Sequence, residues 1–310
     1  EPSVTATISG RRLCRGLPAV SRLASKLYEM EHLANGISIL RTGIETPADI
    51  QEGLLNLRDE QLHVQYEFSG DDAVHKDSGI VYSIEKDILQ QPVRVHPHDH
   101  LDFAPEFWAA CDQACYNAVL EYIQQYPTMI ASLWWRNRGH VLVYEPGARL
   151  GLHQDQDIGY SWKNRDNVIG KYEISTRNTI STTMHLIDSE GGEMHFPYAN
   201  LTIEAREGDI LIFPANYLAA HEVTPVKEGS RRLSYLAWYG QGSVLPLVQP
   251  NGPLEIVEPR PGHVDPFMWC PNIEQDFMDF SGWTDDEMKM EYPAWGRQSV
   301  PHYSISKPKD

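Results

Sequence analysis

Cysteine is scarce in this chain, with four in 310 residues. So few cannot make the dense disulfide framework on which small secreted domains rely, and the expectation is a reducing, cytoplasmic compartment. Cys111 and Cys115 stand four apart in a helical pattern, where they serve as small apolar packing residues. Positive charge is also short: 26 Lys and Arg against 43 Asp and Glu leave a formal net charge of -17. Binding nucleic acid requires clustered cations that displace counterions, so no nucleic-acid partner is expected. No run approaches the roughly 18 apolar residues needed to span a bilayer, and no membrane partner is expected. The opening Glu-Pro-Ser-Val lacks a basic-then-apolar signal arrangement. Residue 1 is not Met, so this expectation of a soluble chain leaves a trimmed targeting segment open. Nothing in the composition sets an oligomeric state.

The length is enough for one catalytic domain with elaborations at both ends. We divide the chain into a helical N-terminal region packing on the core (1–132), a catalytic core (133–240) and a C-terminal extension (241–310). Leu17, Val20, Leu23, Leu27 and Met30 fall at helical spacing and predict a helix over Leu17 to Leu33, stopped by Gly36. Thr46 as N-cap and Pro47 at the first helical position begin a second helix, with Ile50, Leu54, Leu55 and Leu57 following. A third starts at Pro105, carries Trp108, Cys111, Cys115, Val119, Tyr122 and Ile123 on one face, and ends before Pro127. Between them, His96, His98 and His100 alternate as a zinc site might, but Pro97 and its polar neighbours predict a solvated loop.

From Trp134 the pattern changes to short strands: His140 to Tyr144, Arg149 to His153, Thr179 to Ile187, Met194 to Phe196, Leu201 to Glu204, Ile210 to Phe213 and Leu233 to Tyr239. Pro146-Gly147, Gly191-Gly192, Gly208-Asp209 and Gly229 supply the turns, and regularly spaced short strands argue for a sandwich or barrel. The polar insert from Gln156 to Arg177 interrupts this rhythm and is a candidate lid. His-x-Asp occurs four times, at His75/Asp77, His100/Asp102, His153/Asp155 and His263/Asp265. Only the third copy has strands on both sides, a later histidine, His221, and basic residues beyond it. Residues two apart on a strand share a side, so His153 and Asp155 can grip one ion while Gln154 points away. Two imidazoles and one carboxylate suit divalent iron and leave positions open for substrate and oxygen.

In order, the motifs are Tyr144-x-Pro146-Gly147, His153-x-Asp155, Gly191-Gly192-Glu193, Gly208-Asp209-x-x-x-Phe213, His221-x-Val223-x-Pro225, Arg232 and Trp238. This series resembles the prolyl 4-hydroxylase-like branch of the iron(II)/2-oxoglutarate dioxygenases and covers residues 141 to 239, about a third of the chain. The resemblance implies an α+β protein with a double-stranded β-helix (jelly roll) core, flanked by N-terminal helices and a C-terminal extension. It implies Fe(II) bound by His153, Asp155 and His221, with 2-oxoglutarate as cosubstrate and O2 as oxidant.

The remote carboxylate of 2-oxoglutarate needs a local cation, preferably an arginine that can bind it bidentately. Arg231 and Arg232 are the candidates. Alternation puts Arg232, Ser234, Leu236 and Trp238 on one side of the strand and Arg231, Leu233, Tyr235 and Ala237 on the other. The family's Arg or Lys stands six positions before the strand's Trp, which selects Arg232, whereas counting forward from His221 favours Arg231. We prefer the strand register, because a turn absorbs an extra residue more readily than a strand does. Tyr144 is placed to hydrogen-bond the cosubstrate, or else to fill the core. Thr183 and His185 lie on an inward-facing strand, with His185 where the family often has Tyr. Trp238 reads as core or pocket wall, and the glycine pairs as turns that support the fold.

The reading is an oxygenase that hydroxylates or otherwise oxidises an unactivated C–H bond of an amino acid, peptidyl proline or small natural product, releasing succinate and CO2. Related halogenases replace the carboxylate ligand with a small residue, so Asp155 favours hydroxylation. The alternatives are a non-catalytic jelly-roll protein that binds metal or carboxylate, and a zinc hydrolase built on His96, His98 and His100.

Overall fold

The computed structural model describes residues 30–76, 79, 81–83, 90–100, 102–133, 135–137, 139–157, 176–242, 267–269 and 273–291. The first strands are β1 (Met30–Ala34) and β2 (Ile37–Arg41), followed by α1 (Ala48–Gln65) and a small meander of β3 (Tyr66–Ser69), β4 (Asp72–His75) and β5 (Val81–Ser83). Then come β6 (Val93–Val95), α2 (Pro105–Gln125), β7 (Trp135–Asn137), β8 (His140–Tyr144) and β9 (Leu150–His153). The series continues with β10 (Thr176–His185), β11 (Met194–Phe196), β12 (Leu201–Ile203), β13 (Asp209–Pro214), β14 (His221–Val223) and β15 (Arg232–Gly242). Beyond them lie β16 (Phe267–Trp269), α3 (Ile273–Ser281) and α4 (Asp285–Glu291).

The strands form a large antiparallel sheet whose main path runs β1-β2-β13-β10-β15-β7-β16, with β8 pairing β15 and β6 pairing β8. A second, four-stranded sheet runs β12-β11-β14-β9. Between them Ile37, Ile39, Leu142, Tyr144, Leu211 and Phe213 of the large sheet meet Met194, Phe196, Ile203 and Val223 of the small one in one apolar cluster. This is the interior of a jelly roll. The opposite face of the large sheet buries Val141, Val143, Met184, Ile210, Leu233 and Tyr235 against α2, whose Trp108, Cys111, Cys115, Val119, Tyr122 and Ile123 are all buried. Strand β15 is therefore covered on both faces. Arg232, Ser234, Leu236 and Trp238 look into the roll, and Leu233, Tyr235, Ala237 and Tyr239 look at the helices.

Several expectations are corrected. The predicted helix from Leu17 to Leu33 ends in a strand: Met30–Ala34 is β1, and the earlier part of that helix lies outside the described residues. Asn35 and Gly36 both have positive φ, 52° and 76°, and close a two-residue hairpin to β2. Asn-Gly is the favoured pair for such a turn, so Gly36 turns a hairpin and does not stop a helix. The segment before residue 133 is thus more than helical, since β1, β2 and β6 belong to the large sheet. At α1 the N-cap position is Pro47, and Thr46 makes no capping hydrogen bond. The lid expected over Gln156 to Arg177 falls almost wholly outside the described residues, as does His263/Asp265. Helices α3 and α4 pack on the core: Ile273, Phe277 and Met288 are buried, and Tyr116 of α2 donates to Asp276 Oδ2 at 2.7 Å.

Candidate active site

His153 ends β9 and His221 begins β14, and the two are directly opposed across the ladder of the small sheet. That register brings together two histidines 68 positions apart, with ring centroids separated by 4.4 Å. Asp155 is not on a strand, as alternation suggested, but opens a 3-10 turn, Asp155–Asp157. Hydrogen bonds hold this turn: Gln156 N–H donates to the Ala215 carbonyl at 2.8 Å, and Asn178 Nδ2 donates to the Asp155 carbonyl at 3.0 Å. The outcome is a cluster in which one ligand atom from each of His153, Asp155 and His221 lies within 4.8 Å of the others. Among the described residues it is the only such group of His, Cys, Asp or Glu that can hold a metal ion.

Backbone carbonyls set the imidazoles. His153 Nδ1 lies 2.8 Å from the Gly151 carbonyl, and His221 Nδ1 lies 3.1 Å from that of Ala219. Each Nδ1–H donates to its carbonyl, which leaves the Nε2 lone pair of both rings available to an ion. His153 Nε2 is 3.5 Å from Asp155 Oδ1. The other carboxylate oxygen, Oδ2, accepts from Ser181 Oγ at 2.6 Å and from Trp238 Nε1 at 3.1 Å.

The charges follow from these contacts. Burial alone would raise the Asp155 carboxyl, but the hydrogen bond from His153, the charge of His221 and the Ser181 hydroxyl together hold it down to about 2. Burial pushes His221 down to about 4 against the opposing pull of Asp155. His153 also loses water, yet its contact with Asp155 outweighs this and raises it above the ordinary histidine value. An ionised carboxylate beside two imidazoles is a donor set that attracts a divalent cation.

Deeper in the roll the large sheet aligns Arg232 with Tyr144, Ser234 with His185, and Leu236 with Thr183. Arg232 is 2 % exposed, whereas the Arg231 side chain is half exposed and pairs with Glu145 at 3.0 Å. The two arginines therefore have opposite surroundings. The Arg232 guanidinium carbon lies 4.8 Å from the centre of the Tyr144 ring, and burial lowers the Arg232 pKa against the opposing pull of Tyr144. Arg232 Nε and His185 Nε2 are buried with no hydrogen-bond partner. His185 Nδ1 is 3.4 Å from Ser234 Oγ, and burial followed by the charge of Arg232 keeps this ring neutral. A buried guanidinium N–H without an acceptor is costly, and an anion reaching this depth would satisfy it. The residues present thus fit a small dicarboxylate that extends from the histidine cluster to Arg232. Gly192 makes room here: at φ +70°, a Cβ added to it would meet Arg232 Cδ at 2.8 Å. The second glycine of Gly191-Gly192 hence serves the pocket as well as the turn.

Sequence reasoning missed the two groups that hold Asp155 Oδ2. Trp238, expected as wall, donates to the carboxylate and lies 4.9 Å from the His140 ring. Ser181 carried no motif signal. Only the β10/β15 pairing register sets it directly opposite Trp238. His96, His98 and His100 form no metal cluster. His98 Nε2 instead lies 2.9 Å from Tyr235 Oη and 3.3 Å from Asp112 Oδ2 in a half-buried polar group.

No helix among the described residues is long and apolar enough to cross a membrane. No curated protein matches the chain. Among solved structures, it is similar to a Pseudomonas putida prolyl-4-hydroxylase at 19% identity, covering 67% of this chain and 94% of that one with a TM-score of 0.38. The viral collagen prolyl hydroxylase of Paramecium Bursaria Chlorella virus-1, in its 2OG complex, matches at 17% identity over 51% and 84% of the two chains, TM-score 0.31. A Trichoplax adhaerens prolyl hydroxylase in complex with a hypoxia inducible factor peptide fragment matches at 14% identity over 67% and 84%, TM-score 0.39. Residues 139–240 match the model of the 2OG-Fe(II) oxygenase superfamily. That segment holds the histidine–carboxylate cluster, and through it the chain is similar to the 2OG-Fe(II) oxygenase superfamily, whose members use Fe(II), 2-oxoglutarate and O2.

Proposed function

We propose that the protein is a 2-oxoglutarate-dependent hydroxylase in which His153, Asp155 and His221 bind Fe(II) and Arg232 receives the remote carboxylate of the cosubstrate. The observation that carries this reading is the shared interior of the roll: three ligand atoms converge at the small sheet, and a buried, unsatisfied arginine N–H faces the same interior from the large sheet. Iron with bound 2-oxoglutarate supplies oxygen activation when present, releasing succinate and CO2. The chain's own residues bind and orient. Arg232 donates to the carboxylate, with Tyr144 beside it as a hydroxyl that can also donate. His185, held neutral, offers an N–H at Nε2 when Nδ1 accepts from Ser234. Thr183, buried on the same strand face, closes the side of this pocket. Arg231, exposed and engaged with Glu145, stays outside it.

The ionised Asp155 keeps one protein position for an anionic oxygen ligand, which favours hydroxylation over halide transfer. The substrate carries an unactivated C–H bond, and peptidyl proline, a free amino acid and a small natural product are the classes to screen. The test is anaerobically purified protein supplied with Fe(II), 2-oxoglutarate and each pool and then exposed to O2, followed by succinate release and a mass-spectrometric search for products 16 mass units heavier. Absence of succinate formation with every pool, in protein that binds Fe(II), would refute the catalytic reading.

A further inference from the structure

The carboxylate of Asp155 is held from one side only. Ser181 and Trp238 face each other across the β10/β15 ladder, and both donate to the same oxygen, Oδ2. Both residues are almost fully buried, so neither donor is shared with bulk water. The indole is in turn backed by the His140 ring, tilted 43° to it at 4.9 Å. The remaining oxygen, Oδ1, is turned toward His153 Nε2. A carboxylate with two donors on one oxygen cannot rotate freely, and it has one oxygen left to give.

We propose that Ser181 and Trp238 are positioning residues that fix Asp155 so that it presents Oδ1 alone to the metal ion. This rests on the ligand assignment above and adds the mechanism by which the site stays at three protein donor atoms. An unrestrained carboxylate can offer both oxygens and occupy a position that cosubstrate or oxygen needs. It also pays rotational entropy on binding, which a carboxylate already held in place has largely lost. Groups that orient a metal ligand from behind commonly change metal affinity by about 10- to 100-fold when removed.

The test is titration of the apoprotein with Co(II), followed by absorbance, for wild type, Ser181→Ala, Ser181→Thr and Trp238→Phe. Thermal melts of the four apoproteins run alongside. Ser181→Ala and Trp238→Phe are expected to weaken Co(II) binding about tenfold or more. Ser181→Thr, which keeps the hydroxyl, should stay near wild type. A merely structural role would lower the melting temperature and leave the affinity of the folded protein unchanged. Wild-type affinity in both Ser181→Ala and Trp238→Phe overturns the proposal while leaving the ligand set standing. If Ser181→Ala fails to fold, the contrast between Trp238→Phe and wild type decides. Wild-type protein that binds no Co(II) would count against the ligand set itself, and so against both readings.

Discussion

Replacing Arg232 with Ala should raise the 2-oxoglutarate concentration required for turnover far more than replacing Arg231. Arg232 is buried, carries an N–H with no acceptor, and faces the interior of the roll from the large sheet, as the metal cluster does from the small one. Charge-assisted hydrogen bonds contribute about 1.5–3 kcal/mol each, and truncating one partner of a buried charged pair costs about 2–5 kcal/mol. Some of that cost is already present in the free protein, where the buried guanidinium lies against the Tyr144 ring with Nε unpartnered, so about 2–4 kcal/mol is the expected loss. This is roughly a thirtyfold to thousandfold rise in the 2-oxoglutarate requirement. Arg231 forms a half-exposed ion pair with Glu145, and such pairs contribute about 0–1 kcal/mol to stability. Its removal should leave the cosubstrate requirement within about threefold of wild type, since it touches nothing inside the roll. The assay is succinate formation against 2-oxoglutarate concentration for both variants, with Co(II) affinity measured to show that the metal site is intact. A large defect in Arg231→Ala with near-normal Arg232→Ala would refute the reasoning.

Replacing His153, Asp155 or His221 with Ala should in each case abolish turnover and weaken Co(II) binding, and full activity in any one of them would refute the ligand set. Metal affinity should fall as the pH drops through the raised pKa of His153, because the proton then occupies the Nε2 lone pair. Asp155 stays ionised to about 2 and His221 neutral to about 4, so His153 governs the onset, and Co(II) titrations across pH should show the loss beginning above the ordinary histidine value of about 6.5. Gly192→Ala should cost about 1–2 kcal/mol of stability from its left-handed backbone and raise the 2-oxoglutarate requirement by displacing Arg232, as read from melts and cosubstrate titration. Phe277→Ala, in the helix that packs on α2, should destabilise the fold by about 3–5 kcal/mol while Co(II) affinity of the folded protein is unaltered.

The sequence by itself determined the elements whose pattern is local. Strands β8 to β13 and β15 follow from short apolar runs between glycine and proline turns, and α2 follows from one apolar stripe between Pro105 and Pro127. It also selected one His-x-Asp of four, because only that copy stands among strands with a second histidine to follow. The hairpin of β1 and β2 was legible too, in Asn35-Gly36, but a helical spacing upstream masked it. Alternation divided β15 into two sides without by itself saying which faces the small sheet, since both sides carry large apolar residues and both are covered. Tertiary structure decided that, and with it the burial of Arg232 and the exposure of Arg231. It alone set Asp155 on a turn and brought Ser181 and Trp238 to the same oxygen, because those contacts join residues 26 and 83 positions away. Periodicity reports only which residues share a face. The pairing register of distant strands decides which side chains meet, and in this chain that pairing places His153 opposite His221 and Trp238 opposite Ser181.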